Sequence, residues 1–366
     1  MDIVGKNYKL FNGFCLAFLL MIAQIGCQSF DYAMNEFLNP NRGENADTSA
    51  GLETDGDPGP NIDADTSTGV DNNTFKLAYA LNWQRITIGT FVDNKLVDEQ
   101  FISSSQNPNR YASGDLKPSW SKSGNYITFM RTISGSATGQ GADIRTAVIN
   151  LNSLEIKELT AGNFEEYHPT WYRDGSNRVI SDRLTQGVGW STMVSHINSQ
   201  PGDETIVPYG LVATSVLMDG TLISSSGNKG LWSYNLDKKW QPRQFILEVP
   251  FPENVQLHTP SVSPDETQVA IAVDFSNFSG KFAGINFVPD YSGFNYDEKL
   301  IYIGDLDKEN FTITNLRNIT SEKRDLSYGV GYPRWSPDGK RIVYHTNING
   351  KFAIALYELE TKSTVV

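Results

Sequence analysis

The stretch YPRWSPDGKRIVYHTNINGKFAIALYEL, residues 332–359, carries the pattern on which the rest of the chain is organised. Residues 333–336 read as a short strand. Residues 341–345 alternate outward and inward side chains at a period of two, and residues 352–359 read as a third strand. Pro337-Asp338-Gly339 supplies a turn whose glycine takes a positive φ, and Asn349-Gly350 supplies a hairpin turn. A lone antiparallel sheet of this size cannot bury its own faces. It must stack on others like it.

The copies are present. Lys117-Pro118-Ser119-Trp120-Ser121-Lys122-Ser123-Gly124 precedes an apolar run at 126–129, and His168-Pro169-Thr170-Trp171-Tyr172-Arg173-Asp174-Gly175 precedes one at 178–181. Thr259-Pro260-Ser261-Val262-Ser263-Pro264-Asp265 precedes 268–271, with Glu266 where the others have glycine. A degenerate copy runs from Ala213 to Gly220. Residues 75–103 have the later strands (76–82, 85–91 and 97–102) without an entering strand, which is the signature expected of ring closure by strand exchange between the termini.

The recurring Pro-x-Trp-Ser-Pro-Asp-Gly followed by an apolar strand resembles the TolB-type, WD-like repeat of bacterial envelope proteins, over residues 76–366. The resemblance implies an all-β fold, a six-bladed β-propeller of four-stranded antiparallel blades. TolB itself carries a further α/β domain before its propeller; the space before residue 76 here holds a different kind of segment. Trp120, Trp171 and Trp335 offer flat surfaces that fill the wedge between blades.

Charge and composition then divide the chain. The formal net charge of -12 argues against a nucleic-acid surface, which needs clustered Lys and Arg. Most of that charge lies in residues 28–75, which are also nearly empty of large apolar side chains after Leu38 and read as an acidic disordered linker. The run 55–65 is no EF-hand, because prolines interrupt it and Thr66 stands where a bidentate glutamate belongs. Residues 1–27 read as a lipoprotein-type signal peptide: Lys6 and Lys9, an apolar run over 14–25, then Gly26-Cys27, with Cys27 as the lipidated residue. Gln24 departs from the usual leucine, and a plain signal peptide cut nearby is the alternative. The expected location is the bacterial envelope, in the outer membrane or periplasm.

Ligands of propellers meet the loops at one mouth of the central channel. Four residues stand just before entering strands and are candidates for a channel-mouth site: Lys117, His168, His258 and Tyr332. His168 and His258 are weak metal candidates, with Glu165 or Glu166 as a third ligand. Otherwise they bond loop carbonyls. A second candidate is the aromatic flap of residues 274–299, with Phe278, Phe282, Phe287, Tyr291, Phe294 and Tyr296 either facing a partner or packed over their own propeller. Asp182, Asp274 and Asp305 sit near strand ends as possible acids or bases.

There is no Gly-x-Ser-x-Gly elbow, no His-Glu-x-x-His, and no cysteine after Cys27, so no familiar catalytic constellation is legible. No cofactor is implied. The expected function is a non-enzymatic binding or scaffold module, monomeric and lipid-anchored, for an envelope protein or polysaccharide. The alternative is a metal-assisted carbohydrate lyase or hydrolase at the channel mouth.

Overall fold

The computed structural model describes residues 74–365, apart from 82–84, 93–94, 104–113, 135–141, 163, 186–188, 208–211, 226–229, 239–240, 288–298, 321–329 and 349–350. The expected signal peptide with Cys27, the acidic linker, and Tyr291, Phe294 and Tyr296 of the flap lie outside the described residues. Among the described residues every regular element is a β-strand, and no helix is long and apolar enough to cross a membrane.

The first sheet has three strands in the order β1 (Phe75–Leu81), β2 (Arg85–Val92) and β3 (Lys95–Phe101). An eight-stranded sheet follows. It consists of β4 (Asp115–Trp120), β5 (Tyr126–Ser134), β6 (Asp143–Asn150) and β7 (Ile156–Glu158), then β8 (Glu165–Trp171), β9 (Arg178–Thr185), β10 (Gly189–His196) and β11 (Thr205–Val207). Its two antiparallel halves are joined by one parallel bridge, Ile144 to Glu165. Next come β12 (Val212–Val216), β13 (Thr221–Ser225), β14 (Leu231–Asn235) and β15 (Arg243–Gln244) in one sheet.

The fifth group is larger. A short β16 (Ile246–Leu247) crosses to the far edge of a sheet made of β17 (Gln256–Val262), β18 (Gln268–Asp274), β21 (Lys299–Asp307) and β22 (Thr312–Asn318). Between β18 and β21 a small hairpin, β19 (Gly280–Phe282) and β20 (Ile285–Phe287), is inserted. The last sheet is β23 (Gly331–Trp335), β24 (Arg341–Ile348), β25 (Lys351–Glu358) and β26 (Ser363–Val365).

The hydrophobic core lies between successive sheets rather than at one centre. Tyr172, Ile180 and Val194 of one sheet pack on Val216, Leu222 and Tyr234 of the next, and Ala270, Ile301 and Ile303 pack on Ile342, Tyr344 and Tyr357. A strand with a neighbouring sheet on each face must be apolar on both, which is why Gln268–Asp274 reads as a nearly unbroken buried run. The first strands of the sheets, β4, β8, β12, β17 and β23, stand side by side in chain order.

The Pro-Asp-Gly turn expected at 337–339 is built by its own side chains. Ser336 Oγ donates to Asp338 at 2.5 Å and accepts from the Arg341 amide, Asp338 accepts from the Lys340 amide, and Gly339 takes φ 69°. The tryptophans fill the wedges as expected and do more. Trp171 Nε1 donates to the Ser119 carbonyl and Trp335 Nε1 to the Ser261 carbonyl, each at 2.9 Å, so each indole is also bonded to the first strand of the preceding repeat.

Strand exchange between the termini is not what the sheets do. The last sheet takes its four strands from one continuous run, and β1 packs on β4, so β1 is itself the inner strand of the first sheet. What the first sheet lacks, among the described residues, is an outer strand. The first and last described sheets meet instead through side chains, with the Arg341 guanidinium 5.5 Å from the Phe75 ring centre.

Candidate functional site

Four inner strands, β4, β8, β17 and β23, break their register once, around a proline, whereas β1 pairs regularly and β12 shifts between Val212 and Ser215 without one. The four shifts fall between Leu116 and Ser119, Tyr167 and Thr170, His258 and Ser261, and Gly331 and Arg334. At these bulges Lys117, His168, Thr259 and Tyr332 have φ of 53°, 50°, 43° and 52°. The left-handed region is unfavourable for any side chain and more so before proline, at about 1–3 kcal/mol per residue. The fold holds this conformation at four equivalent places, and it directs the bulged residue away from the sheet it belongs to.

Three of these residues meet. Lys117 Nζ donates to His168 Nε2 at 2.7 Å and stands 4.8 Å from the Tyr332 ring centre. His168 and Tyr332 stack at 6.0 Å between centroids. Lys117 also hydrogen-bonds the Tyr332 hydroxyl. The fourth equivalent position is Thr259, not His258. His258 is one residue ahead of the bulge, in regular pairing with Ala272, and is placed against Asp274 (3.9 Å) rather than in the contact of the other three.

The second strands complete the cluster. Asp182, opposite Tyr167, accepts from His168 Nδ1 at 3.0 Å; His345, at the matching position opposite Gly331, lies 5.1 Å from the Tyr332 ring. Gly331 is required there, because a Cβ would meet His345 Cε1 at 2.6 Å. Lys299 pairs with Asp274 at 3.4 Å.

The electrostatics of the cluster are set by cations. Burial, and then Lys117, Arg334 and His258, hold the His168 imidazole well below its usual pKa. Burial and Lys299 bring His258 down to about 4, against the pull of Asp274; burial, Lys299 and Lys117 bring His345 to about 3. Burial raises the Tyr332 phenol, but Lys117, Lys299 and Arg334 outweigh it and the net shift is downward. The three imidazoles are therefore neutral at pH 7.

Arg334 was not legible as a site residue, although a signal existed. The residue between proline and the next repeat position is Ser119, Thr170 and Ser261 in the other repeats, and arginine only here. Its side chain reaches solvent, yet burial lowers its pKa. Its one described hydrogen bond is to its neighbour's carbonyl, Pro333 O at 3.0 Å.

The other sequence candidates go elsewhere. Glu165 accepts from the Tyr167 hydroxyl, and Glu166 is ion-paired with Arg183 at 2.6 Å and bonded to Ser181. Both nitrogens of His168 are engaged, and among the described residues no group of three His, Cys, Asp or Glu is set to hold an ion. Asp305 bonds Gln268 and Asn315. In the flap, Phe287 is buried and stacks on Phe275 at 4.1 Å; Phe278 and Phe282 are half-buried against the same ring. Of the two arrangements expected for these rings, Phe287 takes the one packed on its own propeller, while Phe278 and Phe282 spend one face on the fifth sheet.

No protein-family model matches the chain, and no curated protein matches it in sequence. Solved structures do resemble it. TolB from Acinetobacter baumannii superposes with a TM-score of 0.52 at 13% identity, covering 80% of this chain and 62% of that one. Kuenenia stuttgartiensis hydrazine synthase gives 0.53 at 10% identity, covering 80% of this chain and 44% of the other. An oligogalacturonate lyase in complex with manganese gives 0.48 at 12% identity, over 79% and 77%. The chain thus spans less than two thirds of the TolB chain it matches. At such identities the likeness is one of fold: the described sheets adopt the TolB-type β-propeller arrangement.

Proposed function

We propose that this chain is an exported, envelope-anchored β-propeller of six blades, and that it binds a protein or envelope polymer where its inner strands converge. The blade count is supported by the grouping of strands β1–β3, β4–β7, β8–β11, β12–β15, β17 with β18, β21 and β22, and β23–β26. Export and anchoring rest on Cys27 and the apolar run before it. The observation that carries the binding reading is the meeting of Lys117, His168 and Tyr332, from residues 51 and more apart in sequence, on three strained bulges. Strain kept at equivalent positions and converging polar side chains are the marks of a recognition site.

The test is crosslinked capture from the native envelope with the intact protein and with a Lys117→Gln/Arg334→Gln variant. A specific partner held by the first and lost by the second supports the reading. A partner retained by the variant, or none in either, overturns it.

A carbohydrate lyase or hydrolase is the second reading, and one observation favours it. The Tyr332 phenol, lowered by three cations, has the environment of a general base. The engaged nitrogens of His168 count against the metal-assisted form of that reading. Incubation with acidic oligosaccharides, followed by ultraviolet absorbance of a new double bond and by reducing-end release, tests it; no product over the variant background overturns it.

A further inference from the structure

We propose that the convergence point is an oxyanion site, in which Arg334 and Lys117 bind a carboxylate or phosphate group of the ligand. This deepens the binding reading above and rests on it.

Arg173 bonds the Ser263 and Pro264 carbonyls, and five further arginines, Arg131, Arg145, Arg178, Arg183 and Arg341, each have a carboxylate partner. Arg334 does not: among the described residues its hydrogen bond goes to Pro333 O, and the group that acts on its charge is the Tyr332 phenol. Lys117 likewise bonds two neutral groups, His168 Nε2 and the Tyr332 hydroxyl. The acids nearby are committed, Asp182 to the Nδ1–H of His168 and Asp274 to Lys299.

A partly desolvated cation without a counterion is unfavourable, and proteins keep one where a ligand brings the opposite charge. The guanidinium has a fork of donors suited to two oxygens of one carboxylate or phosphate. Lys117, which meets His168 and the Tyr332 ring, adds a donor to the same cluster, since Arg334 and Lys117 both act on the Tyr332 phenol. The small side chains at the matching positions of the other repeats, Ser119, Thr170 and Ser261, leave Arg334 as the one long cation in that ring of positions.

The experiment is isothermal titration of the folded protein at low ionic strength with citrate, inorganic phosphate, a neutral trisaccharide, and sodium chloride at matched ionic strength. Saturable binding of citrate or phosphate, absent with the other two, is expected, and whichever anion binds identifies the source. Arg334→Gln should weaken it about tenfold or more and Lys117→Met by a similar factor, since one charged hydrogen bond is removed in each. Arg334→Lys should recover only part, because a point charge replaces the fork. Equal heats with chloride, or an Arg334→Gln protein binding as well as the parent, overturn the assignment. If the capture experiment above yields a partner lost in the variant while no anion binds, the oxyanion assignment alone falls; if both experiments fail, the binding reading falls with it.

Discussion

Lys117 Nζ lies 2.7 Å from Nε2 of His168, and Nδ1 of the same ring lies 3.0 Å from Asp182. An ammonium has only donors to give, so Nε2 must be the accepting nitrogen and Nδ1 carries the proton. The imidazole is thereby fixed as one neutral tautomer, which agrees with a pKa held well below the usual value by burial and by Lys117. The relay Asp182–His168–Lys117 aims the lysine at the ring of Tyr332.

Asp182→Ala should remove the acceptor of a buried N–H and cost about 1–3 kcal/mol of stability, the penalty of leaving such a donor unmet. Asp182→Asn keeps an acceptor oxygen and should cost less. Urea unfolding of the two variants beside the parent measures the difference; equal stabilities would mean that Asp182 does not hold the ring.

Tyr332 should be the first tyrosine to ionise. Tyr79 and Tyr167 are pushed above their ordinary values by burial and by glutamates, whereas Tyr332 is lowered by its cations. In a spectrophotometric titration the earliest phenolate absorbance should vanish in Tyr332→Phe and move to higher pH in Lys117→Met. An unchanged first phase in both variants would contradict the arrangement.

Stability should fall as pH drops from about 6.5 to about 4. His258 is lowered from the ordinary 6.5 to about 4, by burial first and then Lys299, and His345 is lowered to about 3. Between the folded and ordinary values the unfolded chain binds a proton that the folded chain refuses, so acid favours unfolding there and the stability is complete above the ordinary value. Thermal unfolding midpoints across that window should slope less in His258→Gln. A parallel pH profile for the variant would place the acid sensitivity elsewhere.

Glu266 stands where the other repeats have glycine, and it takes φ 61°. Relief of that strain in Glu266→Gly is worth about 1 kcal/mol. Against it, Glu266 accepts from the Met218 amide of the preceding sheet and pairs with Lys308 at 2.5 Å. Losing a charged hydrogen bond to a backbone amide costs about 1.5–3 kcal/mol. The variant should therefore be less stable by about 1 kcal/mol in denaturant unfolding, although it restores the repeat; a more stable variant would show the link between sheets to be weak.

The sequence by itself determined the strands, the turns and the stacked-sheet fold, because these depend on local spacing. Period-two alternation marks a strand wherever it occurs, and Ser336, Asp338 and Gly339 close their turn with bonds inside six residues. The indole wedges follow from the same repeat. The tertiary structure alone decided which side chains share the centre. Thr259, not His258, precedes its proline as Lys117, His168 and Tyr332 do, so that match was legible in the repeat, and the bulges decided only that the last three meet. Asp182 and His345 reach the cluster from second strands, where their spacing carries no signal, and Arg334 hides inside the repeat as its variable position. Which sheet supplies the partner of Glu266, and whether Phe287 faces inward, were likewise set by how neighbouring sheets pack, a distance in space with no counterpart along the chain.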